Sequence, residues 1–191
     1  MDNTYHKMNL DIDLLEKTIE MINEEGIEAF SLRALARKCN VSHNAVYRHY
    51  ASKEELLSEC RNYVTESFTK TLEASIEGMS LDDLEVASKI GYAYIAYFQA
   101  NPTHYGFIYN EDSKLNLTLS LDYIEGNYGP FEVFRKACEA LTIKYKLPRE
   151  IGLKKLVKCF SIVQGITSFI INQNIKLDGT WDEVLKGMFE A

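Results

Sequence analysis

The sequence predicts an all-α chain: an N-terminal three-helix head of the helix-turn-helix type (residues 1–52) joined to a larger helical body (residues 53–191). Three observations predict it. The 191 residues include only three Pro and ten Gly, and no segment alternates apolar and polar residues as a half-buried strand would. Apolar residues recur instead at helical spacing between recognisable caps. Finally, the stretch Ser31 to Lys53 holds five Lys/Arg and no Asp or Glu, in a chain whose net charge is -7. The acids stop at Glu28 and resume at Glu54.

Residues 10–25 read as the first helix, with Leu14, Leu15, Thr18, Ile19 and Ile22 on one apolar stripe and Gly26 ending it. Ile27 and Phe30 fill the corner beneath the next two helices. Leu32, Leu35 and Ala36 repeat at helical spacing, and Lys38-Cys39-Asn40 interrupts them. Asn40 stands where a left-handed backbone is needed, a conformation that Asn tolerates. Ser42 is a good N-cap, and Val46 and Tyr50 are spaced for a second short helix. Two helices joined by so short a turn form a helix-turn-helix, whose second helix enters the DNA major groove.

A local basic block in an acidic chain suits a phosphate-facing surface. A merely solvated face would mix both signs. Packing through Val46 and Tyr50 leaves His43, Asn44, Tyr47, Arg48 and His49 free. Asn44, Arg48 and His43 are the candidates for base edges, since Asn pairs bidentately with adenine and Arg with guanine. Tyr47, His49, Lys53 and the backbone near Ser31 are the candidates for phosphates; Arg48 is divided evenly between the two roles. Arg33 and Ser42 complete the candidate DNA-binding surface.

These residues resemble the TetR family of bacterial transcriptional regulators. The resemblance runs over about residues 10–57 through Gly26, Phe30-Ser31-Leu32-Arg33, Leu35-Ala36, Val41-Ser42, Val46-Tyr47, His49-Tyr50 and Ser52-Lys53-Glu54-Glu55-Leu56. Asn44 stands where members often have Gly or Pro, and Ala45 where they often have Thr. The resemblance implies a two-fold symmetric dimer, a palindromic double-stranded DNA operator, and a ligand-binding and dimerisation body. The expected function is that of a transcriptional regulator, most often a repressor, released by a small-molecule effector.

In the body, Ser52-Lys53-Glu54-Glu55 is a capping box opening a helix that extends to about Glu77, roughly 37 Å long, before Gly78. Lys53 is expected to be exposed at its N-terminus as a phosphate contact. Ser80, with Asp82 and Asp83 behind it, caps the next helix, which passes through Ala87, Ile90, Tyr94 and Phe98 to Asn101, where Pro102 stops it. Tyr92, Tyr94, Tyr97, Phe98, Tyr105, Phe107 and Tyr109 have two readings, core packing as the favoured one and a cavity wall as the other. On the second reading the ligand-binding candidates are Tyr94, Phe98, Tyr109, Phe134, Phe160 and Gln164. Residues 110–129 are read as short helical stretches ending in a loop, a surface connection in preference to a flap.

Pro130 opens a helix carrying Phe131, Phe134, Ala137, Cys138, Leu141 and Tyr145, and Pro148 marks its end. Its basic face, Lys136, Lys144, Lys146 and Arg149, is interrupted by Glu132, Glu139 and Glu150 and is read as solvated. From Glu150 to about Asn174 comes the most apolar helix, with 17 uncharged residues between Lys158 and Lys176. A membrane span needs about 20 predominantly apolar residues, so burial by a partner subunit is the better reading. Ser161 and Gly165 would permit close approach there. Thr180-Trp181-Asp182-Glu183 caps a terminal helix with Val184, Leu185, Met188 and Phe189 inward. Residues about 150–191 are therefore the expected homodimer surface, a four-helix bundle.

The polar, acidic N-terminus lacks the pattern of a signal peptide, and a cytoplasmic location is expected. Cys39, Cys60, Cys138 and Cys159 are scattered without a CxxC pair and read as reduced thiols, with no metal site or cofactor. HExxH, GxSxG and P-loop patterns are absent, and His6, His43, His49 and His104 are not spaced with acids as ligands, so no enzyme is expected. The competing reading is a dimeric ligand-binding or interaction protein whose head no longer binds DNA.

Overall fold

A computed structural model of the chain describes residues 2–109, 115–172 and 175–185. Among these residues the regular structure is helical, without a strand. The helices are α1 (Asp2–Glu25), α2 (Leu32–Lys38), α3 (His43–His49), α4 (Lys53–Ala74), α5 (Glu85–Ala100), α6 (Pro102–Tyr109), α7 (Gly129–Lys144), α8 (Arg149–Ile171) and α9 (Trp181–Leu185). The chain divides into two compact units, residues 1–64 with 103–114 and residues 65–102 with 115–191.

The first unit is built on α1, which starts at Asp2 rather than at residue 10. Leu14, Ile19, Ile22, Leu35, Val46 and Leu56 make its buried core. The capping box at the start of α4 forms one residue out of register: Ser52 accepts from the Glu55 N–H (3.1 Å), and the Glu55 carboxylate accepts from Ala51 N–H (2.6 Å).

α6 is a separate helix that the sequence reading, which stopped the previous one at Pro102, did not assign. Pro102 ends α5 because it lacks an N–H, and for the same reason it fits the first turn of α6. α6 is keyed to α1. The Asn23 amide donates to the carbonyls of Ile19 (2.7 Å) and Thr103 (2.9 Å). Gly106 faces that amide so closely that a Cβ would lie 2.1 Å from its oxygen. Buried His104 meets the Glu16 carboxylate at 3.1 Å, and the Tyr63 hydroxyl donates to the same carboxylate at 2.6 Å.

His104 first, and Tyr63 after it, hold the Glu16 carboxyl below its ordinary value, against the opposing effect of burial. A depressed carboxylate pKa stabilises the fold above its unfolded value and ceases to as the pH falls through the folded one. The Glu16 contribution is therefore whole above about 4.5 and is lost below it. Thermal unfolding against pH should show Glu16→Gln less stable than the parent at neutral pH, the two converging in acid. Parallel curves would remove Glu16 from the acid response.

The second unit is centred on Phe68 of α4. Its ring lies 4.9 Å from Tyr94, 4.6 Å from Tyr97 and 4.5 Å from Phe98, centroid to centroid. Several boundaries differ from expectation. α4 ends at Ala74, because the chain closes into turns before Gly78, which takes φ +76. α5 begins at Glu85 rather than after Ser80. The Ser80 hydroxyl donates to the Asp82 carboxylate, which Lys144 also holds at 3.2 Å, and it is the Asp83 carboxylate that accepts from the Glu85 N–H at 3.0 Å where α5 begins.

Residues 115–128 contain no helical stretch. They form a loop tied by reciprocal bonds between the Asn127 amide and the Thr118 backbone (2.8 and 3.0 Å). Buried Arg135 of α7 donates to the Leu121 carbonyl at 3.1 Å and is flanked by Glu132 and Glu139. α7 and α8 approach closely where Gly152 meets Thr142. The box at Thr180 closes as expected, Glu183 N–H to Thr180 Oγ1 at 3.3 Å and Thr180 N–H to Glu183 at 3.1 Å. Leu185 is buried with Ile95 and Ile166, and Met188 and Phe189 lie outside the described residues. Among the described residues no helix is long and apolar enough to cross a membrane.

Candidate nucleic-acid interface

The geometry of the turn is local chemistry. Ser31 caps α2 from extended backbone, its hydroxyl accepting from Ala34 N–H at 3.3 Å. Asn40 takes the left-handed conformation (φ +54), which lets Val41 N–H reach back to the Ala36 carbonyl at 3.0 Å. Ser42 then caps α3, accepting from Ala45 N–H at 3.2 Å. Fully buried Val46 fixes the rotation of α3. Tyr50 is also buried but stands in extended backbone (φ -136), one residue past the helix it was expected to continue.

With α3 so held, Asn44, Tyr47 and Arg48 are exposed on it, as are Arg33 and Arg37 on α2. The Arg48 Nε donates to the Asn44 carbonyl at 3.3 Å, which leaves the rest of the guanidinium outward. Neither Arg33 nor Arg37 is ion-paired among the described residues. Arg37 was counted only as part of the basic block. Its spacing four residues after Arg33, one helical turn further along α2, is the signal that would have placed it beside Arg33. The His43 ring packs edge-on against Tyr47 at 4.5 Å, and its Nδ1 is buried without a partner.

Two candidates are engaged within the head. His49 Nδ1 meets the Asp11 carboxylate and is half-buried, which corrects its reading as a free group. Lys53 was expected to be exposed. Its ammonium instead donates to the carbonyls of Ile27 (2.6 Å) and Phe30 (3.1 Å) and lies 5.8 Å above the Phe30 ring. It closes the turn between α1 and α2, where Gly26 at φ +83 leaves carbonyls without helical partners. Lys53→Met should therefore lower the melting temperature, by the equivalent of about 1–2 kcal/mol for two charge-assisted bonds at a partly wet site. A variant as stable as the parent but weaker on DNA would return Lys53 to a phosphate role.

The ligand-binding candidates are not brought together as a cavity wall. Tyr94, Phe98, Phe134 and Phe160 are buried and pack edge to face on one another, and the Tyr94 hydroxyl donates to Gln164 Oε1. Phe68, which the sequence reading passed over, packs on Tyr94 and Phe98 and helps make them core. Tyr109 belongs to the other unit, its ring 5.0 Å from that of Tyr105. A cavity of about 350 Å³ does open in the body, between α5, α7 and α8, and of the six candidates only Phe134 lines it.

Residues 14–60 match the family model of bacterial regulatory proteins, tetR family. No curated protein matches the chain. Among solved structures the chain is similar to AibR, solved in complex with isovaleryl coenzyme A and operator DNA, with a TM-score of 0.65 and 18% identity over 94% of this chain and 95% of that one. It is similar to the TetR family transcriptional regulator PfmR from Thermus thermophilus, with a TM-score of 0.59 and 19% identity over 92% and 94% of the two chains. A protein of unknown function from Rhodococcus sp. RHA1 gives a TM-score of 0.65 and 17% identity over 94% and 91%. At these identities the likeness is one of fold. The family model thus covers the head, residues 14–60, and over the rest of the chain the similarity to these structures is one of fold.

Proposed function

We propose that the chain is a sequence-specific DNA-binding transcriptional regulator, a cytoplasmic homodimeric repressor released by a small-molecule effector, and not an enzyme. Residues 1–52 read the operator, and residues 53–191 bind the effector and dimerise. The observation that carries this reading is the outer surface of α2 and α3, where Arg33, Arg37, Asn44, Tyr47 and Arg48 are exposed with no acid among them. One α3 reads only a few base pairs. Two of them on a two-fold axis read half-sites of a palindrome, one helical turn or a multiple apart.

Support for the dimer comes from α8. Ser161 and Phe169 are exposed along it, and between them Gly165 has no neighbour within 4 Å of where a Cβ would stand. Trp181 of α9 lies alongside, stacked on Phe169 at 6.5 Å. An apolar face next to a glycine is what a second copy of α8 and α9 would cover. Release by ligand needs a body with two conformations of different affinity for it. α4 is a continuous helix from Lys53 past Val64, so it provides a covalent path from the body to the head.

Fluorescence anisotropy with random duplex tests the head, and sedimentation tests the dimer. Binding at low salt that falls steeply as salt rises is expected, because each neutralised phosphate releases counterions. Selection from a random pool should return a palindrome. A dimer indifferent to duplex at low salt would overturn the DNA-binding reading in favour of an interaction protein.

A further inference from the structure

We propose that the cleft between α5, α7 and α8 is a covalent ligand site, where the Cys159 thiol adds to the electron-poor double bond of a small Michael acceptor bearing a carboxylate. The cleft, about 350 Å³, is within the range of small-molecule sites. Its walls are apolar, from Leu84, Phe134 and Ile162 among others, and no acidic residue lines it. Lys155 and Lys158 stand on it, both exposed on α8 and neither ion-paired among the described residues. Cys138 of α7 and Cys159 of α8 line the same space, where the Cys138 thiol is placed to donate to an ionised Cys159.

This arrangement separates the two thiols in character. The hydrogen bond from Cys138 pulls the Cys159 thiol down, against burial, and the charges of Lys155 and Lys158 pull it further. The same bond and burial push Cys138 up. Half-buried Cys159 is therefore the more readily ionised of the two, and buried Cys138 the less. The remaining thiols lack this setting. Cys60 is buried against the Leu15 carbonyl, and burial raises Cys39.

In the addition, a Cys159 Sγ lone pair forms the carbon–sulfur bond at the β-carbon. The π pair of the double bond moves to the α-carbon, which takes up one proton. The net change is addition of S–H across the double bond, with no leaving group and no oxidant. The two ammonium groups attract the carboxylate, and Phe134 and Ile162 cover the apolar part. This gives the regulatory reading an effector class and rests on that reading only for its consequence, since adduct formation needs no DNA.

The test uses reduced full-length protein with 3-maleimidopropionic acid and, separately, its methyl ester, followed by intact mass and peptide mapping. Cys159 should be modified first, at least about 10-fold faster than Cys39. The acid should outpace the ester at Cys159 relative to their rates with free 2-mercaptoethanol. The double variant Lys155→Gln/Lys158→Gln, changed only at exposed positions, should abolish that preference. Cys138→Ala should move the pH profile of Cys159 modification upward. First modification at Cys39, equal normalised rates for acid and ester, or an unmoved pH profile would each overturn the proposal. Adduct on Cys159 in a protein that binds no duplex would leave the site standing and count against the regulatory reading alone.

Discussion

Asn44→Ala is expected to weaken binding to the selected operator by about 5- to 150-fold, the equivalent of the roughly 1–3 kcal/mol that one bidentate base contact contributes. Binding to random duplex should hardly change. Asn44 is the second residue of α3, exposed and uncharged, so it adds nothing to the electrostatic attraction that non-specific binding depends on. Its amide can both donate to and accept from an adenine edge. Tyr47, also exposed, should behave differently: Tyr47→Ala should weaken operator and random duplex in proportion, as the loss of a phosphate contact does. Arg48→Ala decides between its two roles by the same pair of titrations. A parallel loss on both duplexes for Asn44→Ala would remove it from the reading surface and require a different rotation of α3.

The second large effect is expected far from that surface. Gly152→Ala should destabilise the body by about 1–3 kcal/mol, the usual cost of overpacking, and lower its melting temperature by about 3–10 °C. A Cβ there would lie 2.3 Å from Thr142 Oγ1, 2.9 Å from Thr142 Cγ2 and 3.0 Å from Leu121 Cδ2. None of these can retreat easily. The Thr142 hydroxyl donates to the Cys138 carbonyl at 2.6 Å, and Leu121 sits in the loop that Arg135 anchors. α7 and α8 would have to part at the point where α8 begins. Thr142→Ala added to Gly152→Ala should restore most of the loss, because it empties the volume the methyl needs. Additive losses in the double variant would mean that the conflict is with Leu121 instead.

The parts of the fold that were legible in the sequence are those whose cause lies within a few residues. The left-handed Asn40, the caps at Ser31 and Ser42, and the box at Thr180 each join groups no more than five residues apart. Such pairings form whatever the rest of the chain does. Where local reading failed, a distant partner had intervened. Ser80 looked like an N-cap until Asp82 and, across the body, Lys144 claimed the acidic turn. Lys53 looked exposed until the turn at Ile27 and Phe30 was folded back beneath it. The aromatics of α5 had two readings, and Phe68 of α4, packed on Tyr94 and Phe98, decided for the favoured one, core.

The amino-acid sequence by itself determined that this is a helical chain with a basic helix-turn-helix near its N-terminus, because periodicity, caps and charge blocks are properties of neighbouring residues. Tertiary structure decided which cations remain free for a phosphate, which aromatics are core, and where the body is open. It also brought Cys138 and Cys159 together from two helices, beside Lys155 and Lys158. Spacing along the chain is silent about such a pairing, because it depends on how α7 and α8 pack, and that packing depends on a glycine that leaves room for a threonine.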